Sequence, residues 1–438
     1  MKVLKFGGTS VGTPQRMKEV GKLIADGEQK IVVLSAMSGT TNSLVEISDY
    51  FRKGNPEAAN NVINKLRTKY MAHVGELHAN AEAADRTRDF LEDEFMFLHS
   101  FSSSDFNDTS EKTILAQGEI MSTNMVTNYL QEQGVKVKLI PALDYMRTDT
   151  NGEPDLKFIR EHLQAILKAH PGYDLYITQG FICRDAEERI DNLQRGGSDY
   201  TACLIGAAIR ADEIQIWTDI DGMHNNDPRF VEGTKPVRQL NFEEAAELAY
   251  FGAKILHPTC IQPARYAGVP VRLLNTMDPS APGTLINNEM KRGHIKAVAA
   301  KDNITAIKIV SSRMLLATGF LRKVFEIFET YNTSIDMIAT SEVGVSLSID
   351  NKSRLFPITE ELKKYGTVEV DENMCIICVV GDLEWNNVGF ESIVTAAMKD
   401  IPVRMISYGG SNHNISFLVR EADKKAALAA LSAQLFAN

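Results

Sequence analysis

Short apolar runs alternate with longer amphipathic or polar stretches over the first 290 or so residues. The runs are nearly continuous in Val, Ile and Leu, which is typical of strands in a parallel sheet covered by helices on both faces. The predicted strands are KVLKF, KIVVLSA, VKVKLIPA, DLYITQGFI, EIQIWTD and VPVRLLN. A polar segment from about residue 43 to 132 predicts helices between the second and third strands. The pattern predicts an α/β domain over residues 1–290 with a mainly parallel sheet between helices.

The pattern changes near residues 285–300, and an internal repeat of about seventy residues follows. Gly319-Phe320 in the first copy matches Gly389-Phe390 in the second, and IDMI at 335–338 matches VRMI at 403–406. Each copy reads as a strand, a helix, two strands and a further helical stretch. The repeat predicts two small α+β units over 300–365 and 370–438, interleaved or in tandem. Paired sheets of this kind create a ligand crevice where they meet.

Composition narrows the class of protein. Hydrophobic residues make up 44% of the 438 residues, enough for a packed core, and the net charge of −10 argues against a nucleic-acid binder. The N-terminus carries no signal-peptide pattern, and no apolar run approaches the length of a membrane span. The odd number of cysteines, 5, favours a reducing cytoplasm. We therefore predict a cytoplasmic protein that binds neither membrane nor nucleic acid.

One pair of cysteines and one pair of histidines are candidates for a metal or redox site. Cys375 and Cys378 form a C-x-x-C, but the surrounding MCIICVV is a buried-strand pattern, in which residues three apart point to opposite faces. We interpret them as core residues. His73 and His78 are five apart in a polar helical stretch, the wrong spacing for one helical face, and we interpret them as surface histidines.

Glycine-rich and polar segments follow several of the predicted strands. KFGGTS places Lys5 before Gly7 and Gly8, whose missing side chains let the backbone approach an anion closely. The further segments are SAMSGTTN at 35–42, TQG at 178–180, RGGSD at 195–199 and WTD at 217–219. The RGGSD segment precedes a helix that Ser198 or Asp199 is expected to cap. Because ligands bind outside the carboxyl ends of parallel strands, these segments predict one anion-binding site.

Two common phosphoryl-transfer signatures are absent. The chain contains neither the G-x-x-x-x-G-K-S/T phosphate loop nor the H-R-D catalytic loop. A protein of this sequence that transfers phosphate must use a different fold.

The motifs together resemble a known family. KFGGTS, AQGEIMS around Glu119, RGGSDYTA, WTDIDG, NDPR and FGAKILHP are similar, in this order, to aspartate kinase of the amino-acid-kinase superfamily. The C-terminal units resemble its two ACT domains, which are ferredoxin-like, and the stretch from 314 to 350 is similar to the lysine-inhibited, monofunctional branch. The resemblance implies transfer of the γ-phosphoryl group of ATP, with Mg²⁺, to the β-carboxylate of L-aspartate. That reaction gives 4-phospho-L-aspartate, the first step of lysine, threonine and methionine biosynthesis.

The resemblance also implies roles for individual residues. Lys5 sits over the migrating phosphoryl group, Asp199 orients Lys5, and the amides of Gly7 and Gly8 hold phosphate oxygens. The substrate-binding set is Thr41, Glu119 for the substrate ammonium, Arg195 for a carboxylate, Gly196, Gly197 and Ser198. The nucleotide-binding set is Lys5, Gly7, Gly8, Thr218, Asp219, His224, Arg229, Lys254 and Ile255. His224 departs from the family's usual tyrosine and leaves the affinity for nucleotide open. The metal ligands are not identified.

L-lysine is the implied effector, bound between ACT units of a homodimer or a dimer of dimers. The implied pocket consists of Met314, Ala317, Gly319, Phe320, Leu321, Ile335, Asp336, Thr340, Ser341 and Glu342. Asp336 offers a carboxylate to an ammonium group, whereas the second copy has Arg404 there. Ala317 replaces the serine of lysine-sensitive relatives, so inhibition by lysine is expected to be weaker or another amino acid binds.

Two alternatives stay open from the sequence. The chain is a different amino-acid kinase, acting on glutamate, acetylglutamate or a nucleotide, or it is a non-catalytic amino-acid sensor that keeps the fold. The presence of Lys5, Arg195 and Asp199 argues against the sensor.

Overall fold

The computed structural model describes residues 1–193, 196–252, 256–311 and 318–436. Their helices are α1 (Pro14–Ile24), α2 (Thr40–Arg52), α3 (Pro56–Leu77), α4 (Ala81–Ser100), α5 (Asp108–Glu132), α6 (Leu156–Ala169), α7 (Gly197–Ile209), α8 (Phe242–Tyr250), α9 (Gln262–Ala267), α10 (Phe320–Thr330), α11 (Leu355–Leu362), α12 (Phe390–Ala397) and α13 (Lys424–Leu435). Their strands are β1 (Lys2–Phe6), β2 (Lys30–Leu34), β3 (Val137–Leu139), β4 (Leu175–Gln179), β5 (Ile182–Arg184), β6 (Ile190–Asn192), β7 (Ile214–Thr218), β8 (Gln239–Asn241), β9 (Val271–Asn275), β10 (Thr284–Asn287), β11 (Ile295–Val310), β12 (Met337–Thr340), β13 (Gly344–Ile349), β14 (Thr367–Gly381), β15 (Val403–Tyr408) and β16 (Asn414–Arg420).

The chain divides into two compact units. Unit 1 consists of residues 1–223 and 255–288, and unit 2 of residues 224–254 and 289–438. The two units are groups of residues that contact one another, and they are not tests of the predicted domain limits. Residues 224–254 belong to the C-terminal unit although they lie inside the predicted domain over 1–290. The domain limits given above therefore remain a prediction.

Unit 1 contains the predicted parallel sheet. Its strands lie in the order β3-β4-β2-β1-β7-β9-β10. Neighbours from β3 to β9 run parallel, and β10 is antiparallel to β9. Every parallel strand coincides with one of the predicted apolar runs, and β2 and β4 are buried along their whole length. β1 lies centrally, with Lys5 opposite Val33 and Ile216, so its carboxyl end opens between two neighbours.

The polar segment before β3 forms helices, as predicted. Helices α2, α3, α4 and α5 pack with the sheet in one hydrophobic core, which includes Leu44, Tyr70 and Phe95. Asparagines at the N-caps of α3, α4 and α5 accept a hydrogen bond from the first turn of each helix, which satisfies backbone groups that helix ends leave unpaired.

The prediction of a surface position for His78 is wrong. The side chain of His78 is fully buried, with Nδ1 2.7 Å from Oε2 of Glu132 and Nε2 3.0 Å from Oγ1 of Thr87. His78 follows the last residue of α3, and Glu132 ends α5. The histidine is buried because the turn between α3 and α4 packs against the end of α5, a contact that local spacing does not reveal.

Unit 2 contains one antiparallel sheet in the order β12-β13-β11-β14-β16-β15. The two halves have separate cores. Val298 of β11 packs with the second repeat, whereas Ile307 and Ile309 of the same strand pack with the first. Gly319 and Gly389 hold equivalent positions as left-handed N-caps of α10 and α12 (φ 84° and 97°). The predicted pair of α+β units is confirmed, and β11 is shared between them.

Two further observations concern the cysteines, which are buried as predicted on β14, and the lengths of the helices. Cys375 and Cys378 are buried on β14, and the five cysteines are free thiols. Among the residues that the structure describes, no helix is long and apolar enough to cross a membrane.

Candidate active site

A cavity of about 390 Å³ in unit 1 brings several of the predicted segments together. It lies where β1 and β2 end and α7 begins, with α5 contributing one wall. The described residues that line it are Lys5, Gly8, Ser35, Ala36, Met37, Ser38, Gly39, Thr41, Asn42, Glu119, Phe181, Gly196, Gly197 and Ser198. Segments up to about 190 residues apart in the chain thus meet at one edge of the sheet, as ligand sites in open α/β sheets do.

Lys5 and Asp199 form an ion pair at this cavity. Nζ of Lys5 lies 2.8 Å from Oδ1 of Asp199, and the two side chains are 12% and 15% exposed. Asp199 is in the first turn of α7, where the helix dipole favours a negative charge. The pair holds the lysine ammonium beside the cavity that the lysine lines.

The glycines of KFGGTS allow two loops to interlock. A β carbon at Gly8 would lie 2.8 Å from the carbonyl oxygen of Ala36, closer than real contacts allow. The carbonyl of Gly8 accepts a hydrogen bond of 3.1 Å from the amide of Ser38. The carbonyl of Gly7 accepts one of 3.0 Å from Ser10, which closes a turn. The loop after β1 is therefore fixed against the loop after β2.

Glu119 is a buried carboxyl on the cavity wall. It is 5% exposed, and its Oε1 accepts a hydrogen bond of 3.1 Å from the amide of Ala36. Burial raises the pKa of Glu119 to about 8, although the Ala36 amide and the Lys5 ammonium favour the ionised form. Without a cationic ligand, burial therefore favours the protonated form of this carboxyl.

The start of α7 differs in detail from the prediction. The helix begins at Gly197, and Gly196 is its N-cap with φ 70° and no side-chain cap, so neither Ser198 nor Asp199 caps it. The hydroxyl of Ser35 donates to Oγ of Ser198 at 2.9 Å. Ser198 also packs against Gly180, where a β carbon would overlap its side chain. Arg195 lies outside the described residues, and its role remains a prediction.

The proposed nucleotide residues fall in both units. Thr218 ends β7, its hydroxyl donates to Oδ1 of Asp219 at 3.1 Å, and both residues are in unit 1. In unit 2, Nδ1 of His224 lies 2.9 Å from Oγ1 of Thr234. Arg229, also in unit 2, donates from Nε to Asp227 at 2.9 Å. Lys254 and Ile255 lie outside the described residues.

The proposed effector residues lie in unit 2, except that Met314 and Ala317 are outside the described residues. Thr340 ends β12, and the amide of Ser341 donates to the carbonyl of Gly344 at 2.8 Å. Gly319 and Phe320 start α10, Leu321 is 37% exposed on that helix, and Ile335 is packed against the core of the first repeat. Glu342 is exposed in the turn before β13.

Asp336 has partners that the sequence did not indicate. Its side chain is 1% exposed, and Oδ1 accepts from Nζ of Lys301 at 2.8 Å and from the hydroxyl of Tyr250 at 2.9 Å. Lys301 also pairs with Oδ2 of Asp350 at 2.9 Å. Burial raises the pKa of Asp336 in spite of the ammonium beside it. Oδ2 of Asp336 is buried and, within the described part of the chain, has no hydrogen-bond partner.

Sequence reasoning assigned no role to Phe181 on the cavity wall, and it included Asn42 only as part of the segment SAMSGTTN. Phe181 has φ 68°, a left-handed conformation that is uncommon for a bulky residue, and its amide donates to Oγ1 of Thr201 at 2.9 Å. Its position directly after Gly180 was the available signal, because a residue after a strand-end glycine lies at the ligand edge. Asn42 belongs to the polar segment after β2.

Comparison with known proteins agrees with this architecture. The family model described as the amino acid kinase family matches residues 1–275, and an ACT domain model matches residues 377–435. Aspartokinase 1, chloroplastic, of Arabidopsis thaliana is 35% identical over 99% of this chain and 80% of its own length. Lysine-sensitive aspartokinase 3 of Escherichia coli is 32% identical over 99% of each chain.

A solved structure extends the similarity to the fold. The crystal structure of E. coli aspartokinase III in complex with aspartate and ADP matches with a TM-score of 0.83 at 32% identity, covering 100% of both chains. The family model covers more than half of the chain, and the two relatives match it along nearly its whole length. These matches identify the family. This chain belongs to the amino acid kinase family and, within it, to the aspartokinases.

Proposed function

We propose that this protein transfers the γ-phosphoryl group of ATP to the β-carboxylate of L-aspartate. A carboxylate oxygen attacks the γ-phosphorus, the bond from that phosphorus to the β,γ-bridging oxygen breaks, and ADP leaves with the electron pair. The products are 4-phospho-L-aspartate and ADP. The observation that carries the proposal is the Lys5–Asp199 pair at a cavity whose other walls are glycine loops, hydroxyls and a buried glutamate.

The reaction needs charge neutralisation more than proton transfer. A carboxylate is already ionised at neutral pH and requires no general base. The barrier comes from bringing an anion to a polyanion, and catalysis therefore consists of positioning and electrostatic stabilisation. The ammonium of Lys5 supplies positive charge at the migrating group. Asp199 holds that ammonium in place through the 2.8 Å contact.

The acidic and hydroxyl groups of the cavity suit the functional groups of L-aspartate. Glu119 receives the ammonium of aspartate, and Thr41 and Ser198 donate to its carboxylates together with Arg195. Gly196 and Gly197 let the backbone at the start of α7 approach the substrate. ATP binds through Gly7, Gly8, Thr218, Asp219, His224, Arg229, Lys254 and Ile255 in this proposal.

Mg²⁺ accompanies ATP in this proposal. Among the described residues no group of three or more His, Cys, Asp or Glu side chains is arranged to hold a metal ion. In kinases Mg²⁺ binds substrate phosphates and water with only one or two carboxylates from the protein. Asp199, whose carboxylate lies 2.8 Å from the ammonium of Lys5, is the residue that we propose would bind Mg²⁺. The ion neutralises charge on the phosphates when it is bound.

Regulation by L-lysine is the second part of the proposal. The relative from E. coli is named lysine-sensitive, and Asp336 has a buried oxygen without a partner in the described part of the chain, suited to an ammonium donor. The protein acts in the cytoplasm as a homodimer or a dimer of dimers joined through its ACT units. The buried, free cysteines are compatible with a reducing compartment.

A paired substitution tests the catalytic proposal. Lys5→Ala removes the ammonium at the cavity, whereas Lys2→Ala removes a lysine of the same strand that pairs with Glu28 at the surface. We expect Lys5→Ala to lower kcat by about 100-fold or more, because such a charge acts on the transition state, and Lys2→Ala to stay near wild type. The measurement is the hydroxamate assay with ATP, Mg²⁺ and aspartate.

The same assay distinguishes the alternatives. Glutamate and acetylglutamate are offered in place of aspartate, with and without lysine. Faster turnover of either compound than of aspartate would refute the substrate assignment. Equal turnover by Lys5→Ala and Lys2→Ala would refute the role of Lys5.

A further inference from the structure

Helix α3 contacts the loop after β2 at two consecutive residues. Nζ of Lys69 donates to the carbonyl of Ser38 at 3.0 Å, and the hydroxyl of Tyr70 lies 3.0 Å from Oγ1 of Thr40. Lys69 and Tyr70 are not among the described residues that line the cavity, but Ser38, Gly39 and Thr41 are. The helix therefore contacts one side of a segment whose other side lines the cavity.

Tyr70 and Thr40 form a buried hydrogen bond. Both residues are 0% exposed, and the Tyr70 ring packs edge-on against Phe95 with 5.8 Å between ring centroids. Burial raises the pKa of Tyr70, so the hydroxyl stays neutral and keeps its hydrogen for the bond. On its other side Thr40 packs against Gly118 of α5, where a β carbon would lie 3.4 Å from the threonine methyl. Thr40 is thereby held between α3 and α5.

Lys69 restrains the peptide between Ser38 and Gly39, just before Thr40. Gly39 has φ 83° and is the N-cap of α2 without a side-chain cap, so its own backbone imposes little restraint. The amide of Ser38 is already bonded to the carbonyl of Gly8. The hydrogen bond from Lys69 holds the carbonyl group of Ser38, so both backbone polar groups of Ser38 have a partner. A β carbon at Gly39 would lie 3.9 Å from Nζ, which places the ammonium directly behind the cavity wall.

We propose that Lys69 and Tyr70 are positioning residues that hold residues 38–41, the end of the loop after β2 and the start of α2, in the geometry that binds aspartate. This inference rests on the assignment of the cavity to aspartate. The loop contacts the substrate in the ground state and in the transition state alike. Loosening it therefore weakens binding and raises KM, while kcat changes little.

Tyr70→Phe and Tyr145→Phe form a matched pair. Tyr145 is also fully buried, and its hydroxyl lies 2.7 Å from Oγ1 of Thr178. Thr178 lies within β4, whereas Thr40 lies between the cavity-lining residues Gly39 and Thr41. Each substitution keeps the ring and removes one buried tyrosine–threonine hydrogen bond. We expect similar decreases in Tm, and a KM for aspartate raised about three- to tenfold in Tyr70→Phe alone. The kcat and the KM for ATP should stay within about twofold.

A surface substitution gives a second, independent test. Lys69→Met removes the ammonium and keeps the apolar stem, and Lys69→Arg restores a donor. Lys65 lies one turn earlier on the same helix and is exposed, so Lys65→Met is the control. We expect a raised KM for aspartate in Lys69→Met, recovery in Lys69→Arg and no change in Lys65→Met.

Thr41→Val separates the inference from the assignment beneath it. A raised KM for aspartate in Thr41→Val, with unchanged values in Tyr70→Phe and Lys69→Met, would overturn the positioning role alone. An unchanged KM in Thr41→Val as well would overturn the assignment of the cavity. A loss confined to kcat, or an equal rise of KM in Tyr145→Phe, would also overturn the positioning role.

Discussion

At the scale of single residues, Glu119 shows how burial sets charge. Its carboxyl accepts a hydrogen bond from Ala36 and is near Lys5, but loss of hydration dominates and raises the pKa to about 8. An ammonium ion bound beside it would favour the ionised form and lower that pKa. Under the proposed assignment, binding of the amino group of aspartate is therefore linked to release of the Glu119 proton.

This linkage predicts a pH dependence of substrate affinity. We expect the KM for aspartate to fall as the pH rises toward about 8, because the ionised carboxylate becomes available. Glu119→Gln should raise the KM and flatten its pH profile, since an amide does not titrate in this range. Steady-state kinetics across this pH range measure both effects. A wild-type KM that does not vary with pH would contradict the assignment of the ammonium to Glu119.

The same shift has a consequence for stability. From the ordinary value of 4.5 up to about 8, the folded protein holds a proton on Glu119 that the unfolded chain has lost. The free energy of unfolding should therefore decrease as the pH rises through this window, by roughly 1 kcal/mol per pH unit from this group. Denaturant unfolding of wild type and Glu119→Gln isolates the contribution, because the difference between them should vary with pH in that direction.

At the scale of elements, the loop before α7 depends on a backbone conformation. Gly196 has φ 70°, and a β carbon there would overlap Sγ of Cys260. The absence of that carbon lets residues 196–198 turn into the helix next to Lys5. The RGGSD motif predicted the start of a helix at this point, but the neighbour that requires glycine there, Cys260, lies more than sixty residues further along the chain and was not predictable from local pattern.

We expect Gly196→Ala to lower both stability and activity. A left-handed alanine costs about 1–2 kcal/mol, and the overlap with Cys260 adds to it. Gly27→Ala is the control, because Gly27 has φ 83° with nothing within 4 Å of a β carbon. Thermal unfolding and the KM for aspartate are measured for both. Gly196→Ala combined with Cys260→Ala should recover part of the loss, and equal effects at positions 196 and 27 would argue against the steric explanation.

At the scale of the whole molecule, regulation requires an effector in unit 2 to change catalysis in unit 1. A ligand shifts such an equilibrium only by binding one state better than the other. Asp336 is the group that we assign to the effector ammonium, and it already pairs with Lys301 and Tyr250 through Oδ1. Asp350 also pairs with Lys301, so removing the charge of Asp336 does not leave that ammonium without a partner.

Asp336→Asn should therefore relieve inhibition by lysine without loss of turnover. We expect the lysine concentration for half-inhibition to rise about tenfold or more, as for a lost charged hydrogen bond. Glu369→Gln is the control, since Glu369 forms an exposed pair with Lys308 in the same unit. Inhibition curves at fixed aspartate measure the shift. Unchanged inhibition in Asp336→Asn would remove this residue from the effector site.

Local pattern was enough to predict the strands of the parallel sheet, the helices before β3, the repeated α+β units and the family. It was also enough to predict that Lys5 and the glycine loops meet, because the carboxyl ends of parallel strands share one edge, whereas Glu119 of α5 was assigned to the site only through the resemblance to the family. Burial was not predictable in this way. The raised pKa of Glu119, the buried position of His78 and the partners of Asp336 arise from contacts between distant segments. Hydration and hydrogen bonding at a side chain depend on what packs against it, which only the tertiary structure decides.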